Sequence, residues 1–351
     1  MTEPDPPPQS ALPIAPISAI DPDLPSLAYR GHDLATLVGR VGFQDVWALL
    51  VDGRTGSALP PAEPFPLPVR TGDARVDVQS ALAQLAPVWA FRPMLDLDAA
   101  RLRQDLARAS VMALSFVAQS ARGDDLPAVP QREVMLAPTT AERFLVRWRG
   151  EADPAHARAL DACWVAVAEH GISPSTRAAR LMAGTGADAA ACLAGAVAAT
   201  SGPLAAGAAA RAFALVTEAD RTGDPAGVVA HALTRGPLMG FGHPSYRGRD
   251  PRATLLHAEC ARIGAPLLEA AEAVEAAGTA ALAERGVPYT ANVMFWAGIL
   301  LDAAGVAPRM FTAMYSCGRG AGWSAHLLAA HAELLARTGR DGTSGGAPTV
   351  G

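Results

Sequence analysis

The 351-residue sequence contains no lysine, so all 29 of its basic residues are arginines, and aromatic residues make up only 5% of it. Hydrophobic residues account for 50%, with alanine and leucine dominant. Strands favour β-branched and aromatic residues whereas alanine and leucine favour helices, so this composition predicts an all-α fold. The net charge of -5, with both signs scattered along the chain, indicates no nucleic-acid or anionic-membrane surface.

Cysteine is scarce as well. The four cysteines are Cys163, Cys192, Cys260 and Cys317, and no two form a C-x-x-C pair, so we expect no metal site. Isolated thiols within apolar stretches suit the reducing cytoplasm, where we expect the protein to reside. The chain does not open on a basic segment followed by an apolar run, and it has no stretch of about 18 strongly apolar residues. We therefore expect neither a signal peptide nor a membrane span.

Two segments of biased composition flank the rest of the chain. Residues 1–24 are proline-rich and residues 338–351 are rich in Gly, Ser and Thr, and we expect both to be disordered tails. Between them, apolar residues recur at helical spacing, most clearly over 99–121, where the pattern stops at Gly123. Further helices are predicted at 154–169, 178–200, 211–222, 225–233, 253–263, 265–285, 291–304 and 310–336. One short strand, at 133–136, is the single competing pattern.

The segment 236–252 (GPLMGFGHPSYRGRDPR) combines several residue types that suit ligand binding. Its glycines allow a ligand to approach the backbone, and His243 can donate a hydrogen bond to a carbonyl oxygen. Arg252 follows Asp250-Pro251 at a predicted helix start, where a guanidinium can hold a carboxylate. The alternative is a turn that Asp250 caps, with a solvent-facing histidine.

These residues and several other motifs, in order, resemble the citrate synthase family, and most of all its actinobacterial type. The resemblance extends from Tyr29 to about Ala336, and its densest segments are 168–176, 201–204, 240–252, 291–293 and 310–326. It implies an all-helical fold with a large domain (25–205 and 306–337) and a small domain (206–305). It also implies a homodimer and the condensation of acetyl-CoA with oxaloacetate, a 2-oxo acid, with acyl-CoA as a substrate and no bound cofactor.

The resemblance also implies roles for individual residues. His243 matches the catalytic histidine that acts on the ketone oxygen. The expected substrate-binding residues are His170 in the pocket and the carboxylate-binding pair Arg252 and Arg319. The residues expected on the acyl-CoA side are Gly240, Phe241, Gly242 and Asn292.

Two positions depart from the family pattern where its chemistry takes place. The family motif S-G-P-L-H-G-G-A reads 201-SGPLAAGA-208 here, so Ala205 replaces the histidine that holds the enol oxygen. The motif N-V-D/E reads Asn292-Val293-Met294, so Met294 replaces the carboxylate base. Ser173-Pro174 stands where the family has Asn-Ala, and the family segment R-P-x-A-x-Y-V-G does not occur.

A thioester condensation needs a base for the α-proton and a donor for the enol oxygen, and neither alanine nor methionine supplies one. We therefore predict no ordinary citrate-forming turnover and favour altered chemistry or an altered substrate. The alternative is a non-catalytic ligand-binding regulator, or a heterodimer partner of an intact citrate synthase. Two carboxylates, Glu169 beside His170 and Asp302, are candidates to replace the missing base. The loose G-x-G-x-x-A match at 184–189 follows no strand, which favours a turn between helices over a dinucleotide site.

Overall fold

The computed structural model describes residues 16–21, 23, 26–56 and 59–339, and within these ranges the chain is mostly helical, as predicted. Three short 3₁₀ helices lie at Leu34–Thr36, Met94–Asp96 and Pro308–Met310. The α-helices of the described residues are α1 (Phe43–Asp52), α2 (Ala74–Trp89), α3 (Ala99–Arg122), α4 (Gln131–Leu136), α5 (Thr140–Arg149), α6 (Pro154–Val167), α7 (Pro174–Ala183), α8 (Ala189–Ala198), α9 (Ala208–Thr222), α10 (Pro225–Arg235), α11 (Pro251–Ile263), α12 (Leu268–Ala283), α13 (Val293–Ala303) and α14 (Phe311–Thr338).

Most of these helices begin at a polar residue whose side chain accepts a hydrogen bond from the first turn. Thr139 and Glu142 form a complete capping box at the start of α5, and Asp98 caps α3. Such caps satisfy backbone donors that have no partner within the helix, and each contributes about 1 kcal/mol. Gly123 ends α3, as the sequence predicts.

A small antiparallel sheet lies at the start of the described residues. Its strands are β1 (Ser18–Asp21), β2 (Ser26–Tyr29) and β3 (His32–Asp33), and Ser18 pairs with Tyr29. The expected tail of residues 1–24 is therefore wrong for residues 18–21, because their backbone groups pair with β2. Residues 1–15, 22 and 24 of that tail, and residues 340–351 of the expected C-terminal tail, lie outside the described residues.

Two other predictions need correction. Residues 133–136 belong to helix α4 rather than to a strand, because Pro130 opens a helical turn and the alternating pattern is too short to outweigh it. The helix predicted over 178–200 is divided into α7 and α8. The turn between them has Gly186 at φ +81°, and Asp188 then caps α8. The predicted turn between helices at 184–189 is confirmed.

Helix α14 approaches the end of α6 unusually closely because two of its residues are glycines one turn apart. A Cβ at Gly318 would lie 2.8 Å from the carbonyl oxygen of Trp164, and one at Gly322 would collide with the carbonyl oxygen of Ala168. The Gly322 N–H donates to that Ala168 oxygen at 3.1 Å. The two glycines thus place Arg319, between them, against the loop that follows α6.

Helices α9 to α13 pack mainly on one another, with α9 and α11 both against α13. Helices α11 and α13 also pack on α6, and α9 contacts α14. This arrangement brings the loop between α10 and α11 next to the loop after α6, although the two are separated by about 70 residues of sequence.

Candidate active site

The loop that carries Gly240 and Gly242 is fixed to the start of α13. Both glycines have positive φ, +86° and +73°, which suits glycine and strains other residues. The Gly242 N–H donates to the Thr290 oxygen at 2.9 Å, and the Asn292 N–H donates to the Gly240 oxygen at 2.8 Å. The Asn292 side chain also donates to the Gly242 oxygen at 2.7 Å. The residues predicted for the acyl-CoA side therefore lie together.

The Phe241 ring points into the protein rather than towards solvent. It is 8% exposed and packs edge-on against Phe295, with ring centroids 5.5 Å apart. A Cβ at Gly240 would lie 2.7 Å from the Ala212 Cβ and 3.2 Å from that of Phe295. The loop is thus wedged between α9 and α13, and it presents backbone rather than the Phe241 side chain to a ligand.

His243 has a defined tautomer. Its Nδ1 accepts a hydrogen bond from the Ser245 N–H at 3.1 Å, so the proton of the neutral ring is on Nε2. Burial and then the Arg252 charge lower the pKa of His243 to about 4. A neutral imidazole with a protonated Nε2 can donate a hydrogen bond to a carbonyl oxygen.

His170 lies beside His243, with ring centroids 4.5 Å apart. Its Nε2 is 2.9 Å from the hydroxyl of Tyr246, whose ring also contacts His243 at 5.3 Å between centroids. Burial, followed by the charges of Arg252 and other neighbours, holds the pKa of His170 far below its ordinary value. The cluster therefore contains two neutral imidazoles and a phenol.

Arg252 is buried and is already paired within its own turn. Its Nε and Nη2 donate to the two carboxylate oxygens of Asp250 at 2.9 and 2.8 Å. Asp250 also accepts from the Arg252 N–H and from the Val293 N–H. Burial opposes both charges, but the pairing raises the pKa of Arg252 and lowers that of Asp250. Asp250 caps α11 as the alternative interpretation proposed, and it also orients the arginine.

Arg319 is fully buried, and some of its N–H donors have no hydrogen-bond partner among the described residues. Its Nη2 donates to Thr176 Oγ1 at 2.8 Å and to Ser173 Oγ at 3.1 Å, and it lies 3.8 Å from the carboxylate of Glu169. Its Nε and Nη1 have no hydrogen-bond partner among the described residues. Buried guanidinium donors without a partner are costly, so this side chain is suited to an anionic ligand.

A second network holds Glu169, the residue before His170. Its Oε1 lies 3.2 Å from Nε2 of His326 and accepts from Ser18 Oγ at 3.0 Å and from the Gly171 N–H. Burial favours the protonated acid, but Arg319 and these hydrogen bonds hold the pKa of Glu169 below its ordinary value. Glu169 therefore anchors β1 and α14 to the loop that carries His170.

Met294 and Ala205 introduce no ionisable group. Met294 is the second residue of α13, it is partly buried against the core, and its N–H donates to Asn292 Oδ1 at 2.9 Å. Ala205 lies in the turn before α9, a helix that packs on α13. Its neighbour Leu204 is 86% exposed.

A family model described as the C-terminal domain of citrate synthase matches residues 14–340. The chain belongs to the citrate synthase family. A protein of Mycobacterium tuberculosis provisionally named citrate synthase 2 is 56% identical over 316 residues, which cover 89% of this chain and 85% of that protein. A citrate synthase of Acidithiobacillus ferridurans is 29% identical, over 88% of this chain and 87% of its own length.

Solved citrate synthase structures share the fold. A ternary complex of the Thermoplasma acidophilum enzyme with carboxymethyl coenzyme A and oxaloacetate matches with a TM-score of 0.77 at 21% identity, over 95% of this chain and 92% of that one. The Pyrobaculum aerophilum enzyme matches with a TM-score of 0.74 at 24% identity, over 94% and 88%. The expected citrate synthase fold is confirmed.

The two carboxylates that the sequence offers as replacement bases, Asp302 and Glu169, do not occupy the position of Met294. Asp302 is on the same helix, eight residues later, which is about 12 Å along the axis. Glu169 is held by His326, Ser18 and the Gly171 N–H, and its lowered pKa makes it a weak base.

No helix of the described residues has the length and apolar character that a membrane crossing needs, and those residues form no group of three metal-binding side chains.

Sequence reasoning missed some of the polar residues of this candidate site. Tyr246 lies three residues after His243, but a lone tyrosine in a loop carries no pattern. Ser173 and Thr176 are visible as an N-cap and first-turn residue of α7, yet only the fold shows that both accept from Arg319.

Proposed function

We propose that this citrate-synthase-family protein binds a 2-oxo acid and an acyl-CoA, but does not form citrate by the ordinary mechanism. The observation that carries the proposal is the contrast between a buried, hydrogen-bonded set of anion-binding groups and the apolar residues Ala205 and Met294. Altered chemistry or a different acyl-CoA substrate follows from that contrast.

The binding half of the proposal rests on Arg319 and its neighbours. The unpaired Nε and Nη1 of Arg319 are suited to one carboxylate of the acid. His243, neutral with its proton on Nε2, would donate to the keto oxygen. Arg252 supplies positive charge beside both histidines but is neutralised in part by Asp250. The backbone of Gly240 to Gly242 is the proposed contact for acyl-CoA, with Asn292 holding that loop in shape.

The chemical half of the proposal rests on magnitudes. A positioned acid or base accelerates a reaction by about 10²–10⁴-fold. Enolisation of a thioester needs both a base and a donor for the developing oxyanion, and removal of both takes away most of the acceleration. A thioether and a methyl group at positions 294 and 205 can neither accept nor donate that proton.

The alternative is a non-catalytic protein that keeps the binding groups. It would act as a ligand-binding regulator or as the partner of an intact citrate synthase in a heterodimer. The buried, unpaired donors of Arg319 are compatible with either, since binding does not require a base. We also propose a cytoplasmic homodimer in the absence of such a partner, and a small domain formed by 206–305 that hinges on the large one.

Calorimetric titration with oxaloacetate, acetyl-CoA and CoA tests the binding half. We expect oxaloacetate to bind, and to lose most of its affinity in Arg319→Met. Arg309→Met is the matched control, because Arg309 is exposed and lies in the 3₁₀ helix directly before α14. Unmeasurable oxaloacetate binding by the unaltered chain would contradict the proposal.

Restoring Ala205→His and Met294→Asp together tests the chemical half. We expect citrate formation to rise by at least about 10²-fold over the unaltered chain, with either single variant far less active. Ordinary citrate formation by the unaltered chain would overturn the proposal. Release of CoA from a panel of acyl-CoA thioesters separates altered chemistry, which predicts release from one of them, from the non-catalytic alternative, which predicts none.

A further inference from the structure

Tyr246 links the two histidines of the site. Its hydroxyl lies 2.9 Å from His170 Nε2, and its ring is 5.4 Å from the His170 ring and 5.3 Å from that of His243, measured between centroids. The residue is 5% exposed. The loop that carries His243 therefore also determines the environment of His170, which lies 76 residues from Tyr246 in sequence.

The direction of this hydrogen bond follows from accounting for protons. Burial raises the pKa of Tyr246, so the phenol keeps its proton. Burial and the positive charges of Arg252 and Arg319 keep His170 neutral, with one donor and one acceptor nitrogen. If His170 Nε2 donated to the phenol oxygen, the Tyr246 proton would be buried without an acceptor among the described residues, because His170 is its single hydrogen-bond partner there. Donation from Tyr246 to Nε2 gives the phenol proton its acceptor and leaves the His170 proton on Nδ1, which is not among the buried atoms of the described residues that lack a partner.

We propose that Tyr246 is a positioning residue whose phenol donates to Nε2 of His170 and thereby fixes the His170 proton on Nδ1. The hydrogen bond that one ring nitrogen makes determines which nitrogen of a neutral histidine is protonated. His243 is fixed in the opposite sense by the Ser245 N–H, with its proton on Nε2. One short loop, 243–246, thus sets both tautomers, and the site offers its ligand two neutral imidazoles with defined donors.

The consequence for binding rests on the proposed function, in which the ligand is a 2-oxo acid. A free His170 ring would populate both tautomers and more than one orientation. Since a neutral hydrogen bond contributes about 1 kcal/mol, we expect Tyr246→Phe to weaken oxaloacetate binding roughly 5- to 10-fold.

Long-range ¹H–¹⁵N spectra of the full chain with ¹⁵N-labelled histidine test the tautomer directly. His170→Gln identifies the His170 signals. We expect the unaltered chain to show a protonated Nδ1 and an unprotonated Nε2, and Tyr246→Phe to show averaged shifts for the two nitrogens. The control Tyr315→Phe removes a hydroxyl from α14 and should leave the His170 signals unchanged. A proton on Nε2 in the unaltered chain, or an unchanged tautomer in Tyr246→Phe, overturns the proposal.

Calorimetry with oxaloacetate on the same samples supplies the second measurement. A weaker affinity together with a lost tautomer supports the positioning role, whereas a weaker affinity with the tautomer preserved identifies a merely structural role and overturns it. The spectra need no ligand. Failure of the unaltered chain to bind oxaloacetate therefore contradicts the proposed function alone, and the tautomer is still decided. If Tyr246→Phe does not fold, the spectrum of the unaltered chain decides by itself.

Discussion

The two halves of the candidate site differ in how tightly their residues are held. On one side, Arg319, Arg252, Glu169 and His170 are buried, and each is held by a short polar contact to a neighbouring side chain. On the other side, Met294 packs as an ordinary apolar residue and Ala205 lies in a turn next to the exposed Leu204. A buried polar network is costly to alter piecemeal, whereas apolar positions tolerate exchange. The comparison indicates that the buried polar residues tolerate exchange less well than positions 205 and 294.

The largest effect should come from breaking the buried pair of the polar half. Arg319→Met removes the cation that faces Glu169, and loss of one partner of a buried ion pair costs about 3–5 kcal/mol. Met294→Leu, a volume-conserving change in the apolar half, should cost less than about 1.5 kcal/mol. Urea unfolding of both variants measures the difference. Equal destabilisation would remove the distinction between the halves.

The next effect concerns the helix that carries Arg319. Gly318→Ala forces a Cβ to within 2.8 Å of the Trp164 oxygen, so α14 must move away from α6, at a cost of about 1–3 kcal/mol. Gly320→Ala on the same helix meets nothing closer than Ser110 Oγ at 3.9 Å and should be neutral or stabilising by up to about 1 kcal/mol. Thermal unfolding compares the two variants. A harmless Gly318→Ala would show that the close approach of α14 does not set the position of Arg319.

Acid should destabilise the folded chain through the two histidines of the site. The folded pKa of His243, about 4, lies below its ordinary value of 6.5, so between these values the unfolded chain binds a proton that the folded chain does not. Stability contributed by His243 is thus present above about pH 6.5 and is lost as the pH falls towards 4, and His170 acts in the same direction. Unfolding of His243→Gln should vary less with pH over this range.

Asp161, which lies outside the site, should change the free energy of unfolding with pH in the opposite direction. Asp161 accepts from the Phe43 N–H, and burial raises its pKa from 3.8 to about 7. Its contribution therefore favours the folded state more as the pH falls from about 7 to 4. Asp161→Asn should steepen the acid sensitivity that His243→Gln reduces. If both variants shift the pH dependence in the same direction, the assignment of the two groups is wrong.

The smallest expected signal is proton uptake on binding. An anion beside His243 should raise its pKa from about 4, so oxaloacetate should bind with uptake of a fraction of a proton at pH 5 and with none at pH 8. Calorimetry in two buffers of different ionisation enthalpy measures this fraction. Binding at pH 5 whose heat is independent of the buffer would place the ligand away from His243.

Sequence reasoning reached the helical fold and the residues that lie in recognisable motifs. Gly240, Gly242 and Asn292 do lie together, as the family resemblance implies, because hydrogen bonds join their loop to the start of α13. The proline-rich composition of residues 1–24 predicts a tail. Ser18–Asp21 nevertheless pair with β2, and the Ser18 side chain donates to Glu169, 151 residues away. Local composition carries no information on such distant contacts.

The same limit explains what was missed within the site. The partners of Arg319 come from α7 and from the loop after α6, and the partner of His170 comes from the loop after α10. Each contact depends on how separate helices pack, which periodicity does not report. The division of 178–200 into α7 and α8 shows a related limit, since a continuous run of small residues hides the break that Gly186 and Asp188 introduce.

The carboxylate of Asp250 receives backbone N–H groups from the first turns of two different helices, α11 at Arg252 and α13 at Val293. The beginnings of those helices are therefore not independent of one another. In native-state hydrogen exchange, the amides of both first turns should open as one cooperative unit with a common free energy. A displacement of the first turn of α11 must therefore either carry the first turn of α13, with position 294, along with it or break the hydrogen bond from Val293.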